Sequence, residues 1–305
     1  MKVQVFVGTQ KGAFIYSSNA GRTKWTVEGP LFPGWKVTAA GHDGAGGFLA
    51  ATSSDIYAPS VHRSSDLREW TVADKSPTYA KKSGFKLNQV WTFESVGERV
   101  FLGVDQAGLF ASSDHGATWK QVRGLTNHES RPAWMPGFGG LCAHHITSDG
   151  DQRIWCGISS VGVFGTEDGG KSWTGLNRGV RPMLADKKFK EIGTCVHAIK
   201  RHPDNPDRIW RQDHAGMFRT DDGGKTWDEI QNGLPSTFGF PLVLDESTKT
   251  LFCCPLASDE ARYPPGGKLR VYRSQDEGDS WQECGKGLPD INYHSVLRQA
   301  MAVDN

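Results

Sequence analysis

His144, His197 and His214 are the side chains of this 305-residue chain whose types and spacing best suit chemistry. Imidazole ordinarily titrates between pH 5 and 8, and in its neutral form it is a common metal ligand. The runs Ala143-His144-His145-Ile146 and Val196-His197-Ala198-Ile199 align by their apolar residues, which puts His144 and His197 in equivalent positions. Val90-Trp91-Thr92-Phe93 places Trp91 at the same level one unit earlier, and Arg298 falls near that level in the last apolar run. His214 matches Ser160, Gln106 and Gln10 in a set of equivalent turns, with Gln212 and Asp213 beside it. Three histidines brought together could ligate a divalent metal and activate its water. They could equally transfer protons, or hydrogen-bond solvent in a polar channel. His145, next along its strand, should point the other way and pack.

Other candidates cluster in loops. Asp259-Glu260-Ala261-Arg262 runs into a Pro-Pro-Gly-Gly turn, so Glu260 and Arg262 are either held ligand groups or a solvated ion pair. His128, Arg131 and Trp134 could form a cationic, aromatic wall on which a sugar ring or another flat ligand stacks. Lysine plus arginine number 35 against 34 aspartate plus glutamate, a net charge of +1. That balance argues against a nucleic-acid binder driven by bulk charge. No apolar run approaches the roughly 20 residues of a membrane helix. The first residues alternate like a strand and do not read as a signal peptide, so a cytoplasmic protein with reduced thiols is expected. The six cysteines, two of them adjacent at Cys253 and Cys254, show no metal-site spacing.

What must position these groups is a repeat. Ser112-Ser-Asp-His-Gly-Ala-Thr-Trp119 returns as Thr166-Glu-Asp-Gly-Gly-Lys-Ser-Trp173, Thr220-Asp-Asp-Gly-Gly-Lys-Thr-Trp227 and Ser274-Gln-Asp-Glu-Gly-Asp-Ser-Trp281. Asp114, Asp168, Asp222 and Asp276 stand 54 residues apart. Worn copies at Ser64–Trp70 and Ser17–Trp25 bring the units to six. The aspartate accepts N–H bonds inside its own turn, glycine supplies positive φ, and tryptophan buries a broad face. These boxes therefore read as structural, and they lack the alternating oxygens of an EF-type calcium loop. Apolar runs around each box give four short strands per unit, with the box between the third and fourth. Four-stranded units at this period predict an all-β propeller, one domain spanning residues 1–305.

The boxes resemble the Asp-box (BNR) repeats of sialidase-like and sortilin-like propellers. The segments Asn127-His-Glu-Ser-Arg-Pro-Ala-Trp134, Leu234-Pro-Ser-Thr-Phe-Gly-Phe240 and Val296-Leu-Arg-Gln-Ala-Met301 resemble a bacterial family called exo-alpha-sialidase or glycosyl hydrolase-like. The resemblance spans essentially the whole chain and implies a propeller with hydrolase-like chemistry. Members of that family continue into one more unit, which implies a seven-bladed alternative. True sialidases, by the same resemblance, carry an Arg-Ile-Pro motif, three clamping arginines, a Tyr–Glu nucleophile pair and an acid Asp. The motif is missing, and the Arg-Ile pairs at Arg153 and Arg208 both run into tryptophan. Arg131, Arg262 and Arg298 could supply a clamp, and Asp105, Asp213 and Glu260 a carboxyl pair about 5 Å apart. The sequence thus argues against a classical sialidase.

Six blades are favoured, with Ser295–Val303 completing the first unit as its missing strand. The boxes hold one face, so function is expected at the pore mouth on the other, among the inter-blade loops. The expected protein is hydrolase- or lyase-like on a small polar or carbohydrate-like ligand. His144, His197, His214, Glu260 and Arg298 would do the chemistry, and Trp91, His128, Arg131, Trp134, Gln212, Asp213 and Arg262 would bind. The alternative is a non-catalytic scaffold for a protein partner. Nucleic acid is not expected, since Lys81-Lys82 and Lys187-Lys188 are isolated pairs.

Overall fold

The computed structural model describes residues 3–298 and 300–304. Its chain gathers into two compact units, 1–126 and 127–305. The first holds three antiparallel sheets. These are Val3–Thr9, Gly12–Ser18 and Trp25–Leu31 (β1–β3); Lys36–His42, Phe48–Ser53, Ser60–Ser64 and Thr71–Val72 (β4–β7); and Gln89–Val96, Arg99–Asp105, Gly108–Ser112 and Lys120–Val122 (β8–β11). The second holds three more. These are Ala143–Asp149, Arg153–Ile158, Gly162–Thr166 and Thr174–Gly175 (β12–β15); Val196–Arg201, Ile209–Asp213, Gly216–Thr220 and Asp228–Glu229 (β16–β19); and Gly239–Asp245, Thr250–Pro255, Val271–Ser274 and Gln282–Cys284 (β20–β23). Among the described residues, helix is confined to single turns such as Arg123–Thr126. The fold class is the expected one, an all-β propeller of six blades, each a run of consecutive antiparallel strands.

The boxes are the turns between the third and fourth strands, and their bonding explains their composition. At Asp276, Oδ1 accepts from the Ser274 hydroxyl at 2.7 Å and the Ser280 N–H at 2.9 Å, while Oδ2 accepts from the Ser280 hydroxyl. Asp114, Asp168 and Asp222 accept the same set from their own turns. The tryptophans seal neighbouring sheets. Trp227 sends its indole N–H to the Leu176 carbonyl at 2.9 Å, and Trp281 sends its own to Ile230 at 2.8 Å, each reaching back one blade. Between those blades lie continuous apolar layers. Trp155, Val196, Ile199 and Phe218 form one, and Trp210, Met217, Leu242 and Leu251 form the next. In the first unit Leu49, Val61, Phe93 and Phe110 do the same.

One expectation about strand pairing fails. The first sheet holds three strands, β1–β3, and the described residues of 295–303 form no strand; Gln299 lies outside the described residues. The tail is held instead by the last sheet of its own unit. The Ser295 hydroxyl donates to the Arg262 carbonyl, the Arg298 guanidinium lies 5.8 Å over Phe240, and Met301 Sδ meets Cys254 Sγ at 3.9 Å. Arg298, with φ of 46°, departs from the extended backbone that ladder pairing requires.

Candidate functional site

The innermost strands share a defect that presents side chains. The β8–β9 ladder shifts register at Trp91, β12–β13 at His144, and β16–β17 at His197. A bulged residue leaves the ladder and has its side chain re-aimed, so one device turns out one residue per blade. Trp91 stands half-buried in the first unit.

Around His197, in the second unit, the chain closes a compact polar cluster. Cys195 directly precedes β16, and His197 is the bulged residue of that strand, two positions on. His214 follows β17 directly, and its N–H donates to the Cys195 carbonyl at 2.9 Å, which sets it opposite Cys195. One ligand-type atom from each of Cys195, His197 and His214 lies within 4.8 Å of the others. The His197 ring stacks on Phe240 at 4.4 Å and sits edge-on to Phe238. Its Nδ1 lies 2.6 Å from the Gly239 carbonyl. A carbonyl only accepts, so Nδ1 carries the proton and Nε2 keeps its lone pair. His214 Nε2 lies 3.1 Å from Asp259 Oδ2. The hydrogen bond from His214 holds the Asp259 carboxyl below the usual range, so an ionised carboxylate accepts from Nε2–H and leaves Nδ1 as the basic nitrogen.

Burial dominates the electrostatics. It pushes His197 down to about 3, with the charges of Arg298 and Arg262 adding to the effect. His144 is fully buried and lies well below its ordinary value, first through burial and then through Arg298. His145 falls to about 3 for the same first reason, with Lys200 adding to it. Burial, then the charge of Asp213, pushes the Cys195 thiol up, so as a bare thiol it is a poor nucleophile. His214 is the accessible member, its side chain 23% exposed. It lines a cavity of about 360 Å³ with Arg181, Pro182, Met183, Asp213 and Ala215.

The remaining sequence candidates fall into place around this group or away from it. Asp213 is locked by Arg211, whose Nε donates to its Oδ2 at 3.0 Å; both side chains are buried. Arg211 also donates to Asn177 at 2.7 Å and to Thr194, so Asp213 orders the strand end beneath His214. Gln212 spends its amide on the carbonyls of Asp213, Gly216 and Thr237, which makes it a brace for the turn. Arg262 and Arg298 both lie over the Phe240 ring, at 5.6 and 5.8 Å. Arg131 stacks on Trp134 at 4.8 Å instead. Glu260 is exposed, and its neighbour Asp259 takes the contact with His214. The aromatic wall is not open to a ligand. Trp134 is 5% exposed, packed on Phe164 and bonded to the Ser130 hydroxyl, and His128 packs edge-on against the same phenylalanine. His144 is outside the close group of three, where Cys195 stands in its place.

Cys195 and Asp259 were missed by sequence reasoning. The signal for Cys195 was a Cys-x-His step at a strand start whose hairpin ends in another histidine. Among the described residues, Cys195 joins a grouping of metal-ligand type through two histidines and not through another cysteine.

No protein-family profile matches the chain. A probable oligoxyloglucan-reducing end-specific xyloglucanase of Neosartorya fischeri is 27% identical over 176 residues, which is 46% of this chain and 21% of that protein. The chain thus spans about a fifth of that relative's length. Among solved structures, the GH74 xyloglucanase of Xanthomonas campestris superposes with a TM-score of 0.63 at 17% identity, over 93% of this chain and 43% of the other. YCF48 bound to D1 peptide superposes at 0.57 with 14% identity, over 94% and 79%. At such identities the structural likeness establishes the propeller fold, and a propeller is what these chains have in common.

Proposed function

We propose that this chain binds a small polar, carbohydrate-like substrate in the cavity at His214 and acts on it as a hydrolase or lyase. The observation that carries this reading is the His214–Asp259 pair opening on the cavity, an imidazole oriented by a carboxylate and reachable from solvent. Its free Nδ1 is the proton acceptor, and Arg181 on the same cavity suits a carboxylate or other anionic group of the substrate. The partial sequence likeness to a xyloglucanase supports the carbohydrate class. A two-carboxyl glycosidase mechanism is not favoured by the site. Such a mechanism needs a carboxyl kept protonated, whereas Asp259 is held ionised and Asp213 is locked to Arg211. The buried thiols of Cys156, Cys253 and Cys254, outside any disulfide, suit a reducing compartment such as the cytosol. Among the described residues, no helix is long and apolar enough to cross a membrane.

The test is a panel of neutral and uronate-containing oligosaccharides, followed by calorimetric binding and product analysis. Binding and turnover lost in His214→Ala, with the fold intact, support the reading. Turnover unchanged in that variant overturns it, as does failure of the whole panel to bind.

A second reading, a scaffold for a protein partner, draws on a different place. In the first unit Ile56 and Tyr57 are 86% and 64% exposed beside a cavity of about 530 Å³, and Trp35 lies against Tyr57. Solvent-facing apolar groups of this size mark interaction surfaces. A partner bound by wild type and His214→Ala alike, and lost in Ile56→Ser/Tyr57→Ser, would establish the scaffold instead.

A further inference from the structure

We propose that Cys195, His197 and His214 form a mononuclear zinc-type centre with one coordination position open toward the His214 cavity. This rests on the reading above and changes one role in it: with the ion bound, His214 Nδ1 would be a ligand and no longer the base, and the metal would supply the activated water in its place. Three observations converge. First, the three ligand-type atoms already lie within 4.8 Å of one another, and tetrahedral zinc sets such atoms roughly 3.5 Å apart. Side-chain adjustments of about an ångström suffice to close that difference. Second, both imidazoles have the outer partner that zinc-bound histidines carry. His197 Nδ1–H is bonded to the Gly239 carbonyl and His214 Nε2–H to Asp259, so each histidine keeps its other nitrogen for a metal. Third, the ligand types select the ion. A thiolate with two imidazoles suits zinc better than magnesium or calcium, which take oxygen. Three protein ligands plus an open position is the catalytic pattern rather than the closed structural one.

The charges are compatible with a dication. Binding releases the Cys195 proton, and the thiolate joins Asp213 and Asp259 as negative groups near the ion. Arg262, Arg298 and Arg211 oppose them, and Arg211 is itself paired with Asp213. The Phe238 and Phe240 rings form an apolar shell on one side.

The experiment uses the full chain, stripped with a chelator and titrated with zinc in competition with a chromophoric chelator, then with cobalt(II). One ion per chain is expected, and the cobalt form should show sulfur-to-metal charge-transfer absorption. Cys195→Ser should remove that absorption. Asp259→Asn, which leaves every ligand in place, should weaken zinc binding roughly 10–100-fold. Thermal melts of the stripped variants check that each is folded. Less than stoichiometric zinc in folded wild-type protein overturns the proposal, as does a sulfur band that survives in Cys195→Ser. Oligosaccharide binding by the stripped protein is read separately. Loss of the metal proposal therefore leaves the ligand reading standing, and the reverse also holds.

Discussion

Trp155 donates its indole N–H to the carbonyl of Gly223 at 2.8 Å, across 68 residues and from one blade to the box turn of the next. Trp210 makes the same reach to the Glu277 carbonyl at 2.7 Å. Each second strand in the pair thus grips the following blade by a side chain at its middle. Trp155→Phe keeps most of the buried ring but orphans the carbonyl, so a loss of about 1–2 kcal/mol is expected. Trp155→Ala also opens a cavity and should cost about 3–5 kcal/mol. Urea unfolding curves of the two variants check the order.

Arg211 and Asp213 are a buried ion pair, with side chains 0% and 1% exposed. Removing one partner leaves the other charge uncompensated. Arg211→Met should therefore destabilise by about 3–5 kcal/mol. In Arg211→Met/Asp213→Asn the carboxylate becomes a neutral amide that still accepts from the Ala215 N–H, and part of the loss should return. A double-mutant cycle measured by urea unfolding decides it; an unrecovered double variant would place the cost in Arg211 packing instead.

The repeat made much of this legible. Trp91, His144 and His197 align because each is the bulged residue of its own inner strand, a property that apolar spacing registers without revealing the bulge. The box aspartates were readable because all their partners lie within a few residues. What failed depends on contacts between distant segments. Asp259 and Glu260 are adjacent carboxylates in one loop, and only the placement of that loop beside His214 separates them. Cys195 joins the cluster because the β16–β17 hairpin brings His214 back opposite it. Trp134 reads as a ligand platform in a loop, but Phe164 and the Ser130 hydroxyl claim its ring. The terminal strand was inferred from an empty position in the first sheet, and a free edge does not compel the tail to fill it.

Gly179 and Gly233 occupy matching places before successive blades, with φ of 99° and 93°. A Cβ at either would run into the backbone carbonyl of Trp227 or Trp281, the box tryptophan of the next unit. Gly179→Ala combines a disfavoured backbone region with a clash against rigid main chain. A loss of about 1–3 kcal/mol is expected. Gly266, with φ of 64° and open space around it, is the control, and Gly266→Asn should be nearly neutral because asparagine tolerates that region. Thermal melts of both variants make the comparison.

The box aspartates set the response to acid. The Ser280 hydroxyl, the Ser274 hydroxyl and the Ser280 N–H together hold Asp276 at about 2, against 3.8 for an ordinary aspartate. Asp114 also lies at about 2, where its turn's hydrogen bonds outweigh an opposing effect of burial. A carboxyl depressed in the fold is protonated first in the unfolded chain. Its contribution is complete above pH 3.8 and disappears as pH falls from there toward 2. The protein should therefore lose stability steeply across that window. Asp276→Asn removes one titrating group while keeping one oxygen acceptor. It should be less stable at pH 7 and show a shallower decline between pH 4 and 2, by about one proton. Unfolding by urea at a series of pH values reads both quantities, and a slope unchanged by the substitution would assign the acid sensitivity to other carboxylates.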